Sequence, residues 1–153
     1  MITIQTVENI KKGGKITLAN GIYAIILGIC YIIFYDYIMN ISFKNYDFLW
    51  HTFTEYNPEI SNFFLYTFMS KGIFMISLGI CIIYFSNFII KKKDKTAWVV
   101  LFIIGLVFWA SLLTFEIFTR NIYLIVASFI GWLMFILGMT IPLKYYTQKV
   151  EDY

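Results

Sequence analysis

The chain has 153 residues, 60% of them hydrophobic and 21% aromatic, and its 14% charged residues fall well below the roughly 25% of an ordinary soluble domain. That balance excludes a disordered chain, and a mean hydropathy of +0.75 is too apolar for one water-soluble core, whose surface must still be covered by polar side chains. At about 20 apolar residues per membrane crossing, the length holds about four spans with short connections and no second domain.

In chain order, Ile4, Val7 and Ile10 recur at helical spacing and predict a small interfacial helix, ended by Gly13 and Gly14. The first span follows over residues 16–35. Lys11, Lys12 and Lys15 before it imitate the start of a signal peptide, but the apolar stretch outruns an h-region and no small-residue cleavage site follows, so the helix is read as retained. The first connection, about 37–71, is the only long one. It carries Asn40, Asn45, Asn57 and Pro58 as breakers around an aromatic stretch of Phe48, Leu49, Trp50, Phe53 and Tyr56. Trp and Tyr favour the headgroup level, which predicts a short helix on the outer surface or folded over the bundle mouth. Past Pro58, residues 59–70 should continue helically into the second span, 72–90, with the proline in the first turn. A short basic turn, 91–95, leads to the third span, 96–118, and residues 119–121 turn it into the fourth, 122–143, as a tight hairpin. The expected fold is an all-α membrane protein: a single domain over 1–153, with four transmembrane helices in an antiparallel bundle and a short interfacial helix in the first outer loop.

Orientation follows from the cations, because cytoplasmic loops retain Lys and Arg. Nine lysines (Lys11, Lys12, Lys15, Lys91, Lys92, Lys93, Lys95, Lys144 and Lys149) fall on one side, and only Lys44, Lys71 and Arg120 on the other. The first side carries four acids (Glu8, Asp94, Glu151, Asp152), the second five (Asp36, Asp47, Glu55, Glu59, Glu116). Both termini are therefore expected in the cytoplasm. The basic balance serves topology and anionic lipid, and no nucleic-acid partner is implied.

A glycine pattern recurs. Residues 21–34, GIYAIILGICYIIF, match residues 72–85, GIFMISLGICIIYF, at nine of fourteen positions, and the skeleton returns in Gly131 and Gly138. Seven-residue spacing puts Gly21 with Gly28, and Gly72 with Gly79, on one helix face. Small residues there let backbones approach, with Ala24 before Gly28, Ala127 before Gly131, and Gly105 alone in span three. Packing seams explain the pattern more economically than an internal duplication that forms a ligand path, which would relate spans one and two by an axis in the membrane plane.

Charge in hydrocarbon costs several kcal/mol unless it reaches water or a partner. Asp36, Lys71, Glu116 and Arg120 all fall near the outer surface, which predicts one neutralising ion network at the rim, its long side chains reaching water. On span three, Gly105, Trp109, Leu112, Glu116 and Thr119 share a face. Asn20, Asn87, Ser77, Ser111, Thr114 and Ser128 are scattered and form no hydrophilic stripe, so they should bond other helices or their own carbonyls.

Catalytic signals are absent. Cys30 and Cys81 recur in the repeat but form no CxxC, and their depths disagree, so they read as small hydrophobes. Asp47, His51 and Glu55 are four apart and could share a helix face, but one His and two acids describe a solvated face as readily as a metal site. No HExxH, GxSxG, phosphate-binding loop or haem-type His pair occurs, and no cofactor or metal is expected. The sequence reads as a non-catalytic structural or accessory subunit, its partners the bilayer and either another membrane protein or further copies of itself. The alternatives are a small oligomeric transporter or channel entered at Asp36, Lys71, Glu116 and Arg120, and a lipid-modifying enzyme at Asp47, His51 and Glu55. A composition rich in Ile, Lys, Asn, Phe and Tyr suggests an AT-rich genome and a prokaryotic plasma membrane.

Overall fold

The computed structural model describes residues 4–46 and 49–147, and among these no strand occurs. Seven helices follow one another: α1 (Ile4–Ile33), α2 (Tyr35–Lys44), α3 (Trp50–Tyr56), α4 (Pro58–Lys92), α5 (Lys95–Phe118), α6 (Ile122–Thr140) and α7 (Leu143–Thr147). Four of them, α1, α4, α5 and α6, are long and apolar enough to cross a membrane, which marks a multi-pass membrane protein. Helices suit that solvent because each satisfies its own backbone hydrogen bonds.

The boundaries depart from the sequence expectation at three places. Gly13 and Gly14 do not end a separate N-terminal helix, because α1 runs straight through them. Both glycines sit where a side chain has no room: a β-carbon on Gly13 would lie 2.6 Å from the Gly138 carbonyl oxygen, and one on Gly14 would strike the Ile90 side chain. Asn40 does not break the chain either. It lies inside α2, donating from Nδ2 to the Asp36 carbonyl at 3.0 Å, and the bend comes earlier, at Phe34. Backbone bonds still bridge that bend, Phe34 N–H to the Cys30 carbonyl and Ile38 N–H to the Phe34 carbonyl, so α2 is a redirected continuation of α1. Finally, α6 stops at Thr140, three residues early, because Pro142 cannot supply an N–H to its next turn.

Pro58 acts as expected, and the next boundaries are set by side-chain caps and a left-handed turn residue. Pro58 opens α4, where its missing N–H costs nothing. Asp94 caps α5, its Oδ1 accepting from the Thr96 and Ala97 amides at 2.8 and 3.1 Å. Between α5 and α6 the chain reverses through Arg120, at a left-handed φ of 53°, and Asn121, whose Oδ1 accepts from the Leu124 amide.

The most extensive packing joins α1 to α4. Their glycines meet in crossed order: Gly28 against the Gly72 carbonyl oxygen, and Gly21 against that of Gly79, with β-carbons added at Gly28 and Gly21 falling 2.6 and 2.9 Å away. Number rises on one helix as it falls on the other, as two opposed helices require. The contacts are also symmetric. Gly79 meets Ile25 while Gly28 meets Ile76, the fifth residue of each repeat copy; Gly21 meets Ile83 while Gly72 meets Ile32, the twelfth. The two copies thus face each other across a local two-fold axis, perpendicular to the seam. Ala24 is fully buried beside it. Between α5 and α6 the device changes, since Gly105 receives the Phe135 ring and Gly131 the Trp109 ring. In the first half of α1, Gly138 packs on Thr17, closing α6 onto α1.

This symmetry has a measurable consequence. Gly28→Val and Gly79→Val should each lower unfolding stability by about 1–3 kcal/mol through forced separation of the helices. Because the sites are equivalent, the two losses should agree within about 0.5 kcal/mol, as read from denaturant unfolding in detergent. A large inequality would remove the two-fold description of the seam.

Candidate functional site

The seam delivers charged groups to one place. Lys71 directly precedes Gly72, and Tyr31 follows Gly28 by three residues, so contact between those glycines brings the two side chains together. Glu116 reaches them from α5, whose expected face is realised: Gly105, Trp109, Leu112 and Glu116 are all buried. The Lys71 ammonium pairs with Glu116 Oε1, to which the Tyr31 hydroxyl also donates. Lys71 reaches the Tyr31 oxygen as well, at 3.4 Å, and the Thr119 hydroxyl is shared between the Glu116 carbonyl at 3.0 Å and Glu116 Oε2 at 3.3 Å. Glu116 and Tyr31 are wholly buried, and the Lys71 side chain retains 16% exposure. Its ammonium lies over the Phe115 ring at 4.1 Å and the Tyr31 ring at 4.6 Å, faces that attract a cation most strongly where water is excluded.

The expected four-membered rim network does not form. Asp36 and Arg120 stand apart from the pair: Asp36 Oδ1 accepts from the Trp50 indole N–H at 2.9 Å, and the Arg120 guanidinium lies over the Tyr46 ring at 5.6 Å. The reason is the bend at Phe34, which carries Asp36 away along α2 toward α3. Glu116 is not a snorkelling rim residue either, since its carboxylate is enclosed by Tyr31, Lys71 and Thr119.

A second polar node lies deeper. Asn20 donates from Nδ2 to the Gly131 carbonyl at 2.7 Å and accepts from the Trp109 indole N–H at 3.1 Å, joining α1, α5 and α6. Tyr23 adds a bond to the Ala127 carbonyl at 2.9 Å. Neither Asn20 nor Tyr31 stands out in the sequence as a site residue. The available signal was position: Asn20 directly precedes the first repeat glycine as Lys71 precedes the second, and Tyr31 lies seven residues after Ala24 on the glycine face. Ser77, Ser111, Thr114 and Asn87 bond carbonyls four residues back in their own helices, as expected.

Beside the ion pair lies a cavity of about 550 Å³, walled by α2, α3, the first turns of α4 and the end of α5. Phe68 and Phe115 separate it from Lys71, and Phe43, Phe53, Phe64 and Phe118 supply most of the remaining wall. Of the other residues singled out, His51 and Glu55 lie exposed on α3, while Asp47 lies outside the described residues. Cys30 and Cys81 are free thiols, half-buried and exposed. At the opposite end Trp98 stacks on Tyr146 at 5.1 Å, and burial pushes the Tyr146 hydroxyl up to about 12.

No protein-family model matches the chain, and no curated protein or solved structure shows significant similarity to it.

The arrangement predicts asymmetric mutational effects. Glu116→Gln or Lys71→Met should cost about 3–5 kcal/mol, because each strands the other charge without its partner. The combined Lys71→Met and Glu116→Gln variant should recover most of that loss, read by unfolding in detergent. Strictly additive losses would mean the two groups are not coupled. Asn20→Leu should also be destabilising, by about 1–3 kcal/mol, because it leaves the Trp109 N–H without an acceptor.

Proposed function

We propose that the chain is a non-catalytic structural or accessory subunit of a membrane assembly, built as an antiparallel four-helix transmembrane bundle in a prokaryotic plasma membrane. Both termini face the cytoplasm, and the α5–α6 turn, α2 and α3 lie at the outer surface. Lysine distribution supports this orientation, and α4, whose 35 residues reach about 50 Å at about 1.5 Å each, is long enough to extend beyond a ~30 Å hydrocarbon core.

One observation carries the reading: the interior ionisable groups are closed on one another. A carrier needs a carboxylate that exchanges partners during its cycle, whereas Glu116 is held by Tyr31, Lys71 and Thr119 together. Elsewhere in the interior Asn20 and Tyr23 bond carbonyls of neighbouring helices, Thr17 and Ser86 bond carbonyls of their own, and the buried Ser128 hydroxyl, contrary to expectation, has no partner among the described residues. The outward surfaces of α1, α4 and α5 are aliphatic and aromatic, exposing Ile26, Ile73, Phe74 and Ile103 to lipid or to a neighbouring membrane protein.

A transporter is the second reading, favoured by the adjacency of an ion pair and a cavity. The two separate in the combined Lys71→Met and Glu116→Gln variant, which should keep its fold: a carrier that works through Glu116 loses transport, whereas a subunit still assembles. Purification from the native membrane in gentle detergent, followed by native mass determination, should yield a stoichiometric complex with another membrane protein. A lone monomer or a homo-oligomer would overturn the subunit proposal.

A further inference from the structure

We propose that the cavity at the α5–α6-turn end binds the hydrocarbon chain of an anionic membrane amphiphile, with the headgroup held at Arg120. This rests on the membrane reading but not on the subunit role. The cavity's volume of about 550 Å³ is roughly three to four times the ~150 Å³ that accommodates one benzene, and within the range of small-molecule sites. Its wall is almost wholly phenyl and methionine carbon, and the few hydroxyls are largely committed: Thr67 donates to the Phe63 carbonyl, Tyr46 to the Phe118 carbonyl and Thr119 to Glu116. Such a space offers water little hydrogen bonding and accepts an apolar guest instead. In a membrane the abundant apolar guest is a lipid chain. Phe63 and Phe118, 68% and 75% exposed, line an open side through which a chain can enter.

The charge at the rim selects the head. Tyr46 lines the cavity, and the exposed Arg120 guanidinium lies over its ring at 5.6 Å, placing a cation at the mouth. Asn45 holds the Arg120 carbonyl at 2.9 Å and Tyr46 that of Phe118 at 2.7 Å, so α2 fixes the rim to the α5–α6 turn. Guanidinium recognises phosphate oxygens in two-pronged fashion, and a phosphate-bearing lipid complements both features at once.

The test uses the full chain in detergent, titrated separately with dioleoylphosphatidylglycerol, dioleoylphosphatidylcholine and inorganic phosphate, and read by native mass spectrometry. One phosphatidylglycerol should be retained about tenfold more tightly than phosphatidylcholine, and inorganic phosphate should not bind measurably. Thr67→Trp fills the cavity and should reduce lipid retention about tenfold or more. Thr67→Phe is the smaller second filler, to be used if the first unfolds. Arg120→Gly suits the left-handed backbone, so it should keep or raise the unfolding midpoint while abolishing the preference for phosphatidylglycerol. Retention unchanged by both fillers would mean lipid bound only around the outside, and would overturn the proposal. So would phosphate binding without lipid, or a headgroup preference that survives Arg120→Gly. None of these outcomes depends on whether a protein partner co-purifies, so failure here and failure of the subunit reading are distinguishable.

Discussion

Two helices reach backbone contact only where neither carries a side chain, and the α1–α4 seam meets that condition at Gly21, Gly28, Gly72 and Gly79. Between helices surrounded by lipid there is little hydrophobic drive to associate, so close van der Waals contact must supply much of the attraction. The glycine register then determines what else meets. With Gly28 on Gly72, Tyr31 and Lys71 share one level, and Glu116 has only to arrive from α5. The two-fold relation extends to this chemistry: the residue before the first glycine of each copy is polar, Asn20 in one and Lys71 in the other. Each reaches α5, at Trp109 and Glu116 respectively, and those two lie seven residues apart on one helix face. A symmetric pair of helices therefore offers two equivalent polar hooks to a third helix.

The hooks differ in kind, and that difference specifies the assembly. A buried ion pair adds little net stability over an apolar substitute, because desolvation offsets most of the attraction. Misplacing it by one turn, however, strands two charges in a low-dielectric interior. The Lys71–Glu116 contact thus acts against wrong registers of α5 more than it strengthens the right one. Asn20 does the same at lower cost with neutral groups, and it also secures α6 through the Gly131 carbonyl. The short α5–α6 turn makes one registered helix bring the other with it.

Much of this was legible in the sequence. The four long apolar helices, the proline start of α4, the three-residue α5–α6 turn and the buried face of α5 follow from run length, turn chemistry and helical spacing, which are local properties. The glycine pattern was legible as packing, although the crossed pairing that makes it two-fold is a tertiary fact. The misses share a cause. Gly13 and Gly14 look like breakers when helix propensity is weighed alone, yet each is held in α1 by close contact with a distant segment, Gly138 and Pro142 for one and Ile90 for the other. Asp36 and Arg120 look like members of one rim cluster when depth alone is counted. The bend at Phe34 then sends Asp36 to Trp50 instead. Tyr31 was hidden among many aromatic residues, its role visible only once Lys71 and Glu116 were placed beside it.

The symmetry also explains where the cavity lies. The repeat and the seam end together near Phe34 and Gly72, and beyond that point the two helices part company: α1 breaks into α2, whereas α4 continues unbroken for more than a dozen further residues. Those turns of α4 have lost the partner that covered them. The replacements are α2 and the seven-residue α3, which meet them with the rings of Phe43 and Phe53. Rings packed edge to face leave gaps that interdigitated aliphatic chains would close, and Phe43, Phe53 and Phe64 contact one another at 5.0 to 6.1 Å in tilted or T-shaped geometry. The space thus arises where a glycine-tight seam gives way to an aromatic cover. It adjoins the ion pair because Phe68 and Phe115, the rings that shield Lys71, form the boundary between the two regimes.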